Sequence, residues 1–297
     1  MAKRRSIRDT LKGATRELEG AGVPDAPVEA ERMLRHITGL KRHELYMERG
    51  HRLEAEDVAL LEDLLWRRKK REPLAYITGE VEFRGIHLTV TKDVLIPRPE
   101  TELLVERALN FLEGLEKPVI MDLCTGSGCI AVSLAVELLR KGVTTLIYAT
   151  DISEAALEVA RVNARANNAT ECVRFVRGDL FSPLEGLRLK DRADLIISNP
   201  PYVAAKERET LQPEVRDYEP PAALYAGEDG LDFIKRIIGG AGEYLRPGGL
   251  LLMEIGFSQA RAVKGLASEK TGLRGVSIKK DLSGMDRIFE AVKKPAR

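Results

Sequence analysis

The chain has 297 residues, 44 % hydrophobic and 31 % charged, enough apolar side chain for a sizeable core and too much for a disordered or peptide-sized module. Its 47 Lys and Arg against 46 Asp and Glu leave a formal charge of +1, so no global field holds a polyanion or an anionic membrane, and nucleic-acid binding has to be argued locally. No apolar run reaches the roughly 18–20 residues that span a bilayer, and Cys124, Cys129 and Cys172 are too few for a disulfide framework and lack zinc spacing, so no metal site is expected.

The basic start at Met1-Ala-Lys-Arg-Arg-Ser6 is followed by Arg8, Asp9, Lys12 and Arg16 rather than by an apolar signal core, which predicts a cytoplasmic protein. Residues 1–76 carry apolar side chains at three- and four-residue steps, as in Ala30, Met33, Leu34 and Ile37, then Leu60, Leu61, Leu64 and Leu65. This spacing predicts short helices in a small bundle, broken at Gly20, Gly22, Pro24, Pro27, Gly39 and Gly50. The run Arg67-Arg-Lys-Lys-Arg71 reads as a solvated helix end, with a docking patch for an acidic partner as the alternative.

From 77 to 96 the period drops to about two, with Val81, Phe83, Ile86, Leu88 and Val90 around Gly85, a hairpin acting as a connector. Residues 97–297 alternate strand and helix signals: Val119 to Leu123, Ile130 to Leu139, Thr145 to Thr150, Glu154 to Asn167, Val173 to Arg177, Leu195 to Ser198 and Leu250 to Ile255. This alternation predicts an α/β fold with a mostly parallel, Rossmann-like sheet. Val276 to Lys279 and Arg287 to Val292, flanking a Ser283-Gly284 turn, predict an antiparallel C-terminal hairpin.

The first of these strands runs into Asp122-Leu-Cys-Thr-Gly126-Ser-Gly128. Glycines there let the backbone approach a ligand, and the next helix aims free N–H groups at it. Gly126, Gly128 and Ala131 also fit a dinucleotide fingerprint, so the ligand is NAD or another adenosine compound. Asp151 ends the second strand, where a carboxylate accepts ribose hydroxyls or simply caps the next helix. Asp179 ends the third, where it accepts from an adenine amine beside Leu180 and Phe181 or sits in a turn before Pro183.

The sharpest signal is Asn199-Pro-Pro-Tyr202, closing the fourth strand. A bland reading makes it a strand stop with a half-buried ring. The chemical reading starts from the feeble nucleophilicity of an amide or aryl-amine nitrogen, whose lone pair is delocalised. The Asn199 side-chain oxygen and the Pro200 carbonyl can each take one N–H of an NH₂ group and turn its lone pair toward a donor. Pro200 and Pro201 stiffen that backbone, and Tyr202 stacks on the substrate or on a sulfonium. Positioning then carries the reaction, without His, metal or covalent intermediate.

This set of residues resembles the class I S-adenosylmethionine-dependent methyltransferases of planar NH₂ groups. Arg71-Glu-Pro-Leu-Ala-Tyr-Ile-Thr-Gly79, Ile96-Pro-Arg-Pro-Glu-Thr-Glu102 and Tyr218-Glu-Pro-Pro-Ala-Ala-Leu224 are similar to the HemK-type peptide chain release factor glutamine methyltransferases within them. The resemblance implies methylation of the glutamine amide in the Gly-Gly-Gln loop of class 1 release factors by a monomer, with S-adenosyl-L-methionine as cofactor and the helical domain helping to hold the substrate. It places Cys124, Thr125, Gly126, Ser127, Gly128, Asp151, Ile152, Asp179, Leu180 and Asn199 against the cofactor. Asn199, Pro200, Pro201 and Tyr202 hold the glutamine, with Asn199, Pro200 and Tyr202 as the catalytic set. Arg98, Pro99, Thr101 and Glu102 close the pocket. Cys124 departs from a usual glycine and would be strained at positive φ, and Leu180 replaces a ring found in some relatives.

The enzymatic rival is a nucleic-acid exocyclic-amine methyltransferase, since a flipped base presents the same flat NH₂. Residues 1–76 carry only three more basic than acidic side chains, thin for tracking phosphates, so no direct nucleic-acid contact is expected. A dehydrogenase leaves the Asn-Pro-Pro-Tyr run unexplained, and His36, His43, His51 and His87 all precede the cofactor half. A pocket kept for binding without turnover is the third class.

Overall fold

A computed structural model describes residues 6–47, 52–268 and 272–295; the basic start, Gly50 and His51 lie outside them. The chain divides into two compact units, one of residues 1–79 with 212–218 and one of residues 80–211 with 219–297.

The first unit is helical: α1 Ile7–Gly20, α2 Ala26–Thr38, α3 Arg42–Met47, α4 Ala55–Lys69 and α5 Leu74–Thr78. Ser6 caps α1 by accepting from Asp9 N–H at 3.1 Å, meeting a donor that has no partner within the helix. Ile7, Leu18, Met33, Leu34, Leu61, Leu64 and Leu65 form its core. Leu60, grouped with that stripe by spacing, points outward. The Arg67–Arg71 run differs from the solvated helix end its charge predicts. Arg68 is 3 % exposed; it donates to Glu29 at 2.5 and 3.1 Å and to Glu214 at 2.9 Å. Arg71 grips both oxygens of Glu214 at 2.7 Å, Arg67 binds Glu72, and Lys69 binds Glu17. Apart from Glu72, the partner carboxylates lie far away in sequence, which hides them from a local charge pattern.

The second unit opens with a hairpin, β1 Glu80–Phe83 and β2 Ile86–Thr89, turning at Arg84 and Gly85, both at positive φ. Phe83, Ile86 and Leu88 bury its inner face. There follow α6 Pro99–Phe111, β3 Val119–Leu123, α7 Cys129–Arg140, β4 Leu146–Asp151, α8 Glu154–Ala166, β5 Val173–Arg177 and β6 Ala193–Ser198. After α9 Pro213–Tyr218, which belongs to the helical unit, come α10 Asp232–Tyr244, β7 Leu245–Glu254, α11 Ala260–Ser268, β8 Leu273–Lys280 and β9 Asp286–Lys293.

Among the described residues β3 to β9 form one seven-stranded sheet in the order β5-β4-β3-β6-β7-β9-β8. Neighbours from β5 to β7 run parallel, while β9 pairs antiparallel with β7 and with β8. Alternate side chains feed opposite cores, as the two-residue strand period demands. Ile120, Ile147, Ile197 and Leu252 meet α6 and α7 on one face, and Met121, Ile196, Leu251 and Met253 meet α10 and α11 on the other. Strand order reverses between β3 and β6, so the loops leaving them open a crevice at the carboxyl edge. No helix among the described residues is long and apolar enough to cross a membrane.

Candidate active site

The parallel register delivers the two motifs to one level. Leu123 pairs with Ser198, and Ser198 with Met253, so Cys124, Asn199 and Glu254 leave adjacent strands side by side. Ser198 Oγ donates to the Leu123 carbonyl at 2.6 Å and ties the two exits together. The crevice above spans about 970 Å³ of non-atom space, counting its open mouth.

Cys124, Thr125, Gly126, Ser127, Asp151, Ile152, Asp179, Leu180, Asn199, Pro201 and Thr101 line this crevice. Gly128 lies behind it as the first residue before α7, at φ 78°, where a Cβ would come within 3.0 Å of the Ala160 Cβ. Cys124 adopts φ 59° and Leu180 φ 51°, so the strain foreseen for a side chain at the first position is present at both. Burial pushes the Cys124 thiol up and that of Cys129 up to about 12, which keeps both protonated and unreactive.

Asp151 accepts the N–H of Gly126 and of Ser153, each at 2.9 Å. Capping of α8 falls to Ser153, which accepts from Ala156 N–H, so Asp151 is no helix cap. With backbone N–H groups on both oxygens, the lone pairs left over are open to ligand hydroxyls. Burial raises its pKa against the pull of these N–H groups. Asp179 gives one oxygen to Arg236 at 2.6 Å. Phe181 turns away and stacks on Tyr244 at 4.8 Å between ring centroids, and the ring in the crevice wall is Phe233 of α10.

The Arg98 to Glu102 stretch divides by role. Thr101 lines the crevice. Arg98 instead donates to buried Glu219 at 2.5 Å, and Glu219 also accepts from Ile96 N–H at 3.4 Å, which holds the Pro97 and Pro220 walls together. Glu102 turns to the β1–β2 hairpin and accepts from Arg84 N–H at 3.2 Å. Pro99 begins α6, where a missing N–H costs nothing.

Asn199 donates its Nδ2 to Thr101 Oγ1 at 3.0 Å, and Thr101 donates to Glu254 Oε2 at 2.7 Å. Tyr202 donates its hydroxyl to Glu254 Oε1 at 3.1 Å. With its NH₂ engaged by Thr101, the Asn199 oxygen meets no donor among the described residues and stands at the crevice as an acceptor. Buried Pro200 and Pro201 separate the two polar residues.

Residues 9–79 match the family model described as PrmC N-terminal domain, and residues 99–214 the methyltransferase small domain. The release factor glutamine methyltransferase of Geobacter sulfurreducens is 42 % identical over 95 % of both chains. That of Deinococcus radiodurans is 40 % identical over 96 % of this chain and 98 % of its own. The chain belongs to the release factor glutamine methyltransferase family. It is an enzyme, a protein-glutamine methyltransferase. The catalytic domain of hMettl16, solved with the MAT2A 3′UTR hairpin 6, shares the fold at TM-score 0.54 and 18 % identity over 82 % of this chain and 83 % of its own.

Sequence reading misses several residues of this methyltransferase. Glu254 looks like an ordinary strand end, and only the register with β6 sets it beside Asn199. Gln259 donates to the Tyr202 carbonyl at 3.0 Å and to the Gly230 carbonyl at 3.1 Å, clamping the end of the tetrapeptide. Gly230, at φ 74°, lies so close that a Cβ would come within 2.3 Å of the Tyr202 carbonyl oxygen. No local spacing announces Phe233 or Gln259.

Proposed function

We propose that this chain transfers a methyl group from S-adenosylmethionine to the side-chain amide nitrogen of the glutamine in the Gly-Gly-Gln motif of class 1 peptide chain release factors. The observation that carries the reading is Asn199, standing at the crevice with its NH₂ engaged and its oxygen unused.

The crevice fits the cofactor. Buried Ser127 Oγ in its wall has no hydrogen-bond partner among the described residues, Asp151 has spare acceptor capacity for ribose hydroxyls, and Phe233 with Leu180 offers an apolar wall for a base. When bound, S-adenosylmethionine supplies an electrophilic methyl group on a sulfonium. The residues of the chain supply orientation. Asn199 Oδ1 and the Pro200 carbonyl each accept one hydrogen of the glutamine amide, which sets its nitrogen at a fixed angle. Tyr202, packed on the core and held by Glu254, anchors the end of the tetrapeptide, and its hydroxyl stays protonated because burial raises its pKa.

The test is incubation of the chain with labelled S-adenosylmethionine and, separately, a release factor, the same factor lacking the motif glutamine, DNA and RNA. Label in the intact factor alone is expected. Label in nucleic acid and none in the factor overturns the reading.

A further inference from the structure

The tetrapeptide cannot choose by itself which way the Asn199 amide faces. Oxygen and NH₂ are similar in size, and either fits a hydroxyl neighbour, because a hydroxyl both donates and accepts. The choice matters, since an NH₂ turned to the crevice would meet the NH₂ of the substrate donor to donor.

We propose that Glu254 is the positioning residue that sets this choice, acting through the Thr101 hydroxyl on Asn199 and directly on Tyr202. An ionised carboxylate only accepts. Thr101 has one proton and gives it to Glu254 Oε2 at 2.7 Å. The side of Thr101 that faces Asn199 then offers lone pairs alone. Only the NH₂ of Asn199 satisfies them, and it does so at 3.0 Å. The amide oxygen is thereby sent to the crevice. The second oxygen of the same carboxylate accepts the Tyr202 hydroxyl, so one side chain orients both ends of the Asn-Pro-Pro-Tyr run.

The sheet makes this arrangement stiff. Glu254 ends β7 one residue after Met253, the partner of Ser198, and pairs with Ile288 on its other side. It is 1 % exposed. Burial raises its pKa, and Arg287 of β9 opposes that by favouring the charged form, while Glu100 of α6 works the other way. Arg287 is itself held by Asp281 at 3.2 Å and donates to the Ile255 carbonyl at 3.4 Å. Each carboxyl oxygen accepts one hydroxyl, from Thr101 at 2.7 Å and from Tyr202 at 3.1 Å, so the pair of hydroxyls rather than an ion pair occupies the group.

The proposal rests on the reading of Asn199 as an acceptor for the substrate amide, and its test separates the two. In the full chain Thr101→Val keeps shape and loses the hydroxyl, whereas Thr101→Ser keeps the hydroxyl. Thr101→Val is expected to lower kcat toward release factor by roughly 10- to 100-fold, near the low end of the loss of one preorganised contact. KM and the cofactor Kd should stay near wild type, and Thr101→Ser should recover most of kcat. Solvent exchange of the Asn199 side-chain NH₂, assigned by its absence in Asn199→Asp, is slow in wild type and Thr101→Ser and fast in Thr101→Val. If Thr101→Val misfolds, Thr101→Ala serves the same comparison. Wild-type kcat without the hydroxyl, or unchanged exchange of that NH₂, overturns the relay. A wild-type chain that moves no methyl to release factor defeats the acceptor reading instead, and the exchange measurement still decides the relay.

Discussion

Buried carboxylates at two places in the molecule behave in opposite ways. In the helical unit Glu214 is surrounded by Arg68 and Arg71, whose hydrogen bonds pull its pKa below the usual range even though burial pushes it up. At the carboxyl edge of the sheet, Asp122, Asp151 and Glu254 are held by hydroxyls and backbone N–H groups, and burial raises all three. Guanidinium pairs saturate a carboxylate and hold segments together. Hydroxyl and amide donors leave acceptor capacity over for a ligand, at a cost in stability.

The contrast predicts opposite responses to pH. Asp122 is 0 % exposed, accepts from Thr125 Oγ1 at 2.6 Å, and has its pKa raised from 3.8 to about 7. A raised folded pKa means the native state holds the proton longer than the unfolded chain, so its contribution is full below pH 3.8 and lost as pH rises toward 7. That loss is about 4 kcal/mol at about 1.4 kcal/mol per pH decade. Asp122→Asn keeps an acceptor for Thr125 and should flatten the stability slope between these limits in urea titrations. An unchanged slope would assign it to other groups. For Glu214 the sign reverses. Its lowered pKa stabilises above the unfolded value of 4.5 and is lost on acidification.

A smaller effect separates cohesion from chemistry. Arg68→Ala should destabilise the chain by about 2 kcal/mol, below the 3–5 kcal/mol of a fully buried broken pair, because Arg71 still holds Glu214. Cofactor affinity measured by calorimetry should be unchanged at a temperature where the variant is folded. Loss of affinity would break the division of labour. Smallest is Asp151→Asn, expected to weaken cofactor binding about tenfold, or about 1.4 kcal/mol, through the loss of charge-assisted contacts to hydroxyls. Wild-type affinity in that variant would remove Asp151 from the ribose contact.

Much of the sheet was legible because its signals are local. The glycine loop, the strand runs near 119, 173 and 193 and the Asn-Pro-Pro-Tyr stop each sit within one element and its exit. The residues that escaped are those whose role comes from register or from distant pairing. Glu254 is one carboxylate at the end of an apolar strand until β6 lies beside it. Arg68 reads as surface charge until Glu29 and Glu214 arrive from far along the chain. Phe181, expected beside the base site, turns away because its ring stacks on Tyr244, and Phe233 lines the crevice instead.

The most direct measurement is single-turnover methyl transfer to release factor by wild type and Asn199→Ala at saturating cofactor. An Asn199 oxygen that orients the substrate amide predicts a fall of roughly 100- to 1,000-fold with cofactor affinity retained. Transfer at the wild-type rate by Asn199→Ala would contradict it.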